Sequence, residues 1–217
     1  NTLMEMDVIF GHNKADVEYF KGLTQKKHVY QNPTLMITDE IKPTTKPEDR
    51  GGVIIGGNMV RWYGGFDSYV IAQEFGEDIF APSMGRKIDR EDEMDITHLP
   101  YMNWLNWVNN LSQFKYAVHL MPTFAAGTFA LNCAYHGIPC IGYEGLDTQQ
   151  SCFPQLTVKM NDLKRARKLA NQLKNDSGFY ETASATARNN FTAFFGEEEY
   201  TYNMKEVIKK VMSDDKK

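Results

Sequence analysis

The sequence predicts an α/β fold, a doubly wound parallel sheet followed by C-terminal helices. Three observations carry that expectation. Short apolar runs bounded by Gly, Pro or Asp recur from Gly52 to Val158, and stretches with apolar residues at helical spacing lie between them. Strands alternating with helices in this way form parallel β-α-β units. The chain after Asp162 then reads as helices alone.

Residues 6–10 (MDVIF) read as a short strand, 14–21 as a short helix and 27–30 as a second strand. One strand–helix–strand unit cannot bury both faces of a sheet by itself. It reads as the tail of another domain or an extension docked on the rest. Residues 32–50 (NPTLMITDEIKPTTKPEDR), with Pro33, Pro43 and Pro47, read as an extended linker or surface crossing. Residues 52–56 (GVIIG) form a buried strand bounded by glycines. A helix is expected over 66–75, with Phe66, Tyr69, Val70 and Phe75 at roughly helical spacing. Strands follow at 78–81 and 95–99, then a helix over 101–114 with Trp104, Leu105, Val108 and Leu111 on one stripe. A strand at 116–121 leads into a Gly/Ala/Thr loop and a short helix. Strands at 138–141 and 156–158 close the sheet, and helices over 162–175, 178–194 and 197–212 finish the fold. The tail SDDKK is expected to fray.

An apolar fraction of 42% and a charged fraction of 24% are those of an ordinary globular protein. Lys and Arg number 24 against 28 Asp and Glu, a formal charge of −4, so no global basic field draws nucleic acid or anionic lipid. No apolar run approaches the roughly 18 residues of a membrane span. The N-terminus NTLMEMDVIF lacks the basic-then-apolar pattern of a secretory signal, so a cytoplasmic location is expected. Cys133, Cys140 and Cys152 show no C-x-x-C spacing and read as reduced core cysteines. The histidines show no H-x-x-x-H spacing, so no metal site is expected.

Ligands of doubly wound sheets bind beyond the carboxyl ends of the strands. The first such loop holds Gly56, Gly57, Asn58, Arg61, Gly64 and Gly65: glycines let backbone N–H groups approach a phosphate, and Arg61 can add a charge-assisted bond. Alone, a Gly-Gly turn is more commonly a plain turn. Pro100 and Tyr101 follow the third strand, with Tyr101 placed either to stack on a ring or to start the helix. After the fourth come Phe124, Ala125, Ala126, Gly127 and Thr128. There a helix N-terminus carries partial positive charge and free N–H donors. Thr128 either caps that helix, the commoner use, or donates to a ligand. Together these loops favour a nucleotide-type ligand. His119 reads as a hydrogen-bonded wall residue, Trp104 and Trp107 as core and rim, and the basic run 164–168 as a solvated face.

From Met6 to about Met212 the chain resembles the C-terminal, sugar-nucleotide-binding half of a GT-B-type glycosyltransferase. Asp7-Val8-Ile9 and Gln31-Asn32-Pro33 look like the end of the acceptor domain and its interdomain crossing. Gly56-Gly57-Asn58 and Gly64-Gly65 resemble the glycine-rich opening of the donor domain. Leu99-Pro100-Tyr101 falls where the family places a segment against the base. Residues 121–142, ending His136-Gly137-Ile138-Pro139-Cys140-Ile141-Gly142, resemble its diphosphate and ribose loop and the following strand. The resemblance implies a Rossmann-like donor domain over 51–195, remnants of the acceptor domain and a linker over 1–50, and a crossing helix and tail over 196–217. It implies an NDP-sugar donor, no metal, and a donor site drawn from Gly56, Gly57, Asn58, Arg61, Met84, Arg86, Pro100, Tyr101, Phe124, Ala126, Gly127, Thr128 and Asn132. The chain departs from the family pattern where retaining members carry two glutamates, here Phe124 and Asn132. It departs again where they carry an Arg and a Lys in the first loop, here Asn58 and Tyr63, with Arg61 nearby. Such enzymes need two comparable domains, so a preceding acceptor domain or a second copy of the chain is the expected partner. Three readings stand: a glycosyltransferase donor half, a non-catalytic nucleotide-binding or interaction module of the same fold, and another Rossmann-like enzyme such as a sugar-nucleotide epimerase. The absence of G-x-G-x-x-G after the first strand counts against the third.

Overall fold

The computed structural model describes residues 2–26, 28–83 and 85–214. The chain opens with α1 (Thr2–Glu5), β1 (Ile9–Gly11), α2 (Lys14–Thr24) and β2 (Val29–Gln31). Strands β1 and β2 pair in parallel with Ile9 opposite Val29. Ile9, Val17 and Val29 close a small core of their own between strands and helix. Helix α2 starts at a capping box: Asn13 is the cap, and its backbone N–H donates to the Asp16 carboxylate at 3.1 Å.

The main sheet has six parallel strands: β3 (Gly51–Ile55), β4 (Ile79–Pro82), β5 (Thr97–Leu99), β6 (Phe114–His119), β7 (Cys140–Tyr143) and β8 (Thr157–Val158). Their spatial order is β5-β4-β3-β6-β7-β8. The chain therefore builds outward from β3 in one direction, returns to its other side at β6, and builds outward again. The crossovers hold α3 (Gly65–Ala72), α4 (Trp104–Leu111), α5 (Thr128–His136) and α6 (Asp147–Cys152). Val53, Ile54 and Ile55 are wholly buried because both faces of β3 are covered, so the strand is an unbroken apolar run rather than an alternating one. Helices α7 (Leu163–Asn175) and α8 (Ser177–Phe195) pack on each other and on this layer. Helix α9 (Glu197–Asp214) returns to the N-terminal unit, where Lys210 Nζ lies 5.3 Å from the Tyr30 ring centroid.

Several elements differ from the sequence expectation, each for a local reason. Residues 32–50 cross the surface as expected, but as a strap anchored in the core. Met36 and Ile41 are buried in the main core, and the Lys42 and Thr44 N–H groups donate to Asn109 Oδ1 (2.7 Å) and Ser112 Oγ (2.9 Å). Helix α4 starts at Trp104, not at 101, because Asn103 caps it by accepting the Asn106 N–H at 2.9 Å. Strand β7 starts at Cys140, not at 138, because the Ile138 N–H closes α5 by returning to the Cys133 carbonyl at 2.9 Å. Strand β1 starts at Ile9 and β6 runs from Phe114 to His119, both shifted in register from expectation. Helix α6 has no counterpart in the sequence pattern; its DTQQSC shows no apolar stripe. Ser213 and Asp214, expected to fray, continue α9, whereas 215–217 and Lys27 lie outside the described residues. The three cysteines are free and buried. No helix among the described residues is long and apolar enough to cross a membrane.

Candidate functional site

The reversal between β3 and β6 is the switch point of the sheet, where the loops following the two strands diverge and leave a crevice. A cleft of about 370 Å³ opens there. Its two main loops are tied together. The Ser68 hydroxyl donates to the Gly64 carbonyl at 2.8 Å and accepts the Leu120 N–H at 2.9 Å, and Thr123 Oγ1 donates to the Trp62 carbonyl at 2.7 Å.

Helices α4, α7 and α8 each begin with a side-chain cap, from Asn103, Asp162 and Asp176. Helix α5 has none. Its cap position is Gly127, in the left-handed region at φ 70°, so Thr128 is the first helical residue and not the cap. Among the described residues no group accepts from the backbone N–H of any residue from Ala125 to Ala130. The peptides leading into the helix are held from behind. Asn13 Nδ2 donates to the Ala125 carbonyl at 2.8 Å, and Thr34 Oγ1 donates to the Ala126 carbonyl at 3.1 Å. In a trans peptide the next N–H points opposite to the carbonyl, so the Ala126 and Gly127 N–H groups turn away from the strap. Asp147 fixes the same cluster: its N–H donates to Asn13 Oδ1 (3.1 Å), and its carboxylate accepts from the Lys14 N–H (3.0 Å) and Gln31 Nε2 (2.5 Å).

Of the residues expected at the site, Gly57, Pro100, Tyr101, Ala126, Gly127, Thr128 and Asn132 line the cleft together. Tyr101 is 85% exposed and precedes α4, so it does not start that helix. Asn58 and Arg86 line an adjoining hollow of about 280 Å³ that shares Pro82 and Ser83 with the cleft. There Asn58 Oδ1 accepts the Val60 N–H at 3.2 Å, and the Arg86 guanidinium lies 5.8 Å from the Trp62 ring centroid. Arg61 and Phe124 are exposed and outside the lining, Gly56 lies beneath it, and Met84 is outside the described residues. The sequence pattern does not single out Ser83 or Met121, names Tyr63 only where the resemblance expects a basic residue, and reads Trp107 and His119 as structural; all five line the cleft. None of the described residues lining the cleft is Asp, Glu, Lys or Arg. Asn132, which the resemblance sets against a glutamate, is satisfied within the protein when its amide nitrogen and oxygen exchange places: the N–H then donates to the Thr128 carbonyl (3.2 Å) and the oxygen accepts the Trp107 indole N–H (3.3 Å).

His119 meets the expectation of a wall residue, but among the described residues it has no hydrogen-bond partner. Its ring sits edge-on to Phe129 at 5.0 Å, and burial alone pushes its pKa down to about 4. His136, whose Nε2–H donates to the Val108 carbonyl at 2.8 Å, is likewise lowered by burial to about 4. Both folded-state values lie below the 6.5 of an unperturbed histidine, so the unfolded chain binds more protons between those limits. Stability is therefore full above about pH 6.5 and falls as pH drops toward 4, by up to roughly 1.4 kcal/mol per pH unit for each ring. Urea unfolding at pH 7 and pH 5 should show this loss, and His136→Gln should shrink it; equal stability at the two pH values would contradict it.

No protein-family model matches the sequence, and no curated protein matches it. Solved structures do match in fold. Sucrose-phosphate synthase from Thermosynechococcus elongatus aligns with a TM-score of 0.73 at 13% identity, covering 98% of this chain and 60% of that one. Anabaena HepE, solved in complex with UDP and glucose, gives 0.73 at 10% identity, covering 94% and 63%. TarM gives 0.71 at 10% identity, covering 94% and 43%. The chain thus spans less than two thirds of the length of each. Its fold is that of the Rossmann-like half of a GT-B glycosyltransferase.

Proposed function

We propose that the chain is the donor-binding half of a glycosyltransferase and holds an NDP-sugar in the cleft between β3 and β6. The observation that carries this reading is the uncapped start of α5, with its amides free and the preceding carbonyls pinned on the far side by Asn13 and Thr34. Free helix-start amides with the helix dipole behind them suit phosphate oxygens. The exposed Tyr101 ring and the Trp107 wall suit a nucleobase and sugar. In transfer, the amides would stabilise the charge that develops on the departing nucleoside diphosphate, and they need no reorganisation to do so. The acceptor side would come from a first domain or a second copy of the chain. The β1–β2 pair supports this: it is a two-stranded sheet, and Phe10 is exposed upon it.

A second reading, a nucleotide-binding module without transfer activity, is favoured by one observation. Where retaining enzymes of the resemblance carry glutamates, this chain has an exposed Phe124 and an Asn132 committed to Trp107. Thermal unfolding with UDP, GDP, ADP and UDP-sugars tests both readings. A nucleotide at about 100 times its Kd adds roughly 2.7 kcal/mol of stability, or some 5–10 °C in a domain of this size. Unchanged melting with every nucleotide would remove both. Turnover of a labelled NDP-sugar, with the first domain supplied, then separates enzyme from binder.

A further inference from the structure

We infer that the His119 imidazole is a ligand contact, donating a ring N–H to a phosphate oxygen of the nucleotide seated at the start of α5. This rests on the nucleotide reading above. The ring stands on the floor of the cleft at the carboxyl end of β6, packed against Phe129 in the first turn of α5, and so beside the free amides. Space is reserved for it. A Cβ on Gly56 would lie 2.5 Å from His119 Cδ2 and 2.9 Å from Phe129 Cδ1, so only glycine leaves room for the imidazole at that height. Gly56 thus contributes by housing the ring rather than by meeting the phosphate itself. Among the described residues neither ring nitrogen has a partner and no charged group faces the ring. The ring is 7% exposed and lines the cleft, so its unpartnered nitrogens are within reach of a ligand oxygen seated there. No Lys or Arg among the described residues lines the cleft, so a fixed neutral donor next to the amides supplies a side-chain hydrogen bond without the cost of burying a cation.

Titration calorimetry of the full chain with UDP and with inorganic pyrophosphate tests this, using His119→Leu and His119→Gln. The Leu variant should weaken both probes by about ten- to a hundredfold, the usual worth of a hydrogen bond to a charged group. The Gln variant, a neutral donor of similar reach, should recover part of the loss. In the wild-type protein the His119 ring nitrogen resonances should move on adding pyrophosphate, a change that a purely packing role does not produce. A folded Leu variant that binds both probes like wild type overturns the inference and leaves the nucleotide reading intact. A wild-type protein that binds neither probe overturns both. If His119→Leu does not fold, the wild-type resonances decide: unmoved ring nitrogens at saturating pyrophosphate overturn the assignment.

Discussion

Gly127→Ala is expected to lower the melting temperature by roughly 5–15 °C and to abolish measurable nucleotide binding. The two effects share one cause. Gly127 sits at φ 70°, where an alanine costs about 1–2 kcal/mol in backbone strain. A Cβ there would also land on Thr148 Oγ1, a buried hydroxyl on α6. Relief requires the loop to back away from α6, which swings the Ala126 and Gly127 amides out of register with the helix start. The combined cost of about 2–4 kcal/mol gives the expected melting shift at this chain length. Adding Thr148→Ala to the variant should return the part due to the clash but not the part due to φ. A Gly127→Ala protein that melts within about 2 °C of wild type and binds UDP normally would show that the loop is not held as described.

Asn13→Ala should destabilise the fold by about 3 kcal/mol and weaken UDP about tenfold. Asn13 is almost fully buried and serves three elements at once. It caps α2, donates to the Ala125 carbonyl and accepts the Asp147 N–H. Loss of the cap is worth about 1 kcal/mol and each orphaned backbone group about another. The binding loss follows because the Ala125–Ala126 peptide is free to rotate once its carbonyl is released. Asn13→Ser separates the effects: serine still caps α2 but is too short to hold the loop. About a third of the lost stability, the part due to the cap, should return in that variant while affinity does not. Wild-type affinity in a folded Asn13→Ala protein would contradict the account.

The alternation of apolar runs with helical spacings was enough to read the parallel sheet and both cleft loops, because buried parallel strands announce themselves as unbroken apolar runs. Strand and helix ends shifted where caps intervened: Asn103 delays α4 and Ile138 is spent on closing α5. The strap of residues 32–50 was hidden because its prolines signal only an extended chain, whereas the burial of Met36 and Ile41 depends on what lies under them. The same limit applied at the site. A histidine or tryptophan in an apolar context looks alike whether it walls a core or a cleft, so the pattern around His119 and Trp107 reads as structural. Asn13 gave no sign of its role either, since its partner Ala125 is 112 positions away.

That separation has a consequence for the order of events in folding. Contacts between residues 13 and 125, and between 34 and 126, close very long loops of chain, and their entropy is repaid only once the sheet is in place. The oriented amides are then expected to form late in folding. If a nucleotide sits on these amides as proposed, it finds no grip in the half-built molecule and is expected to slow unfolding while leaving the speed of refolding unchanged.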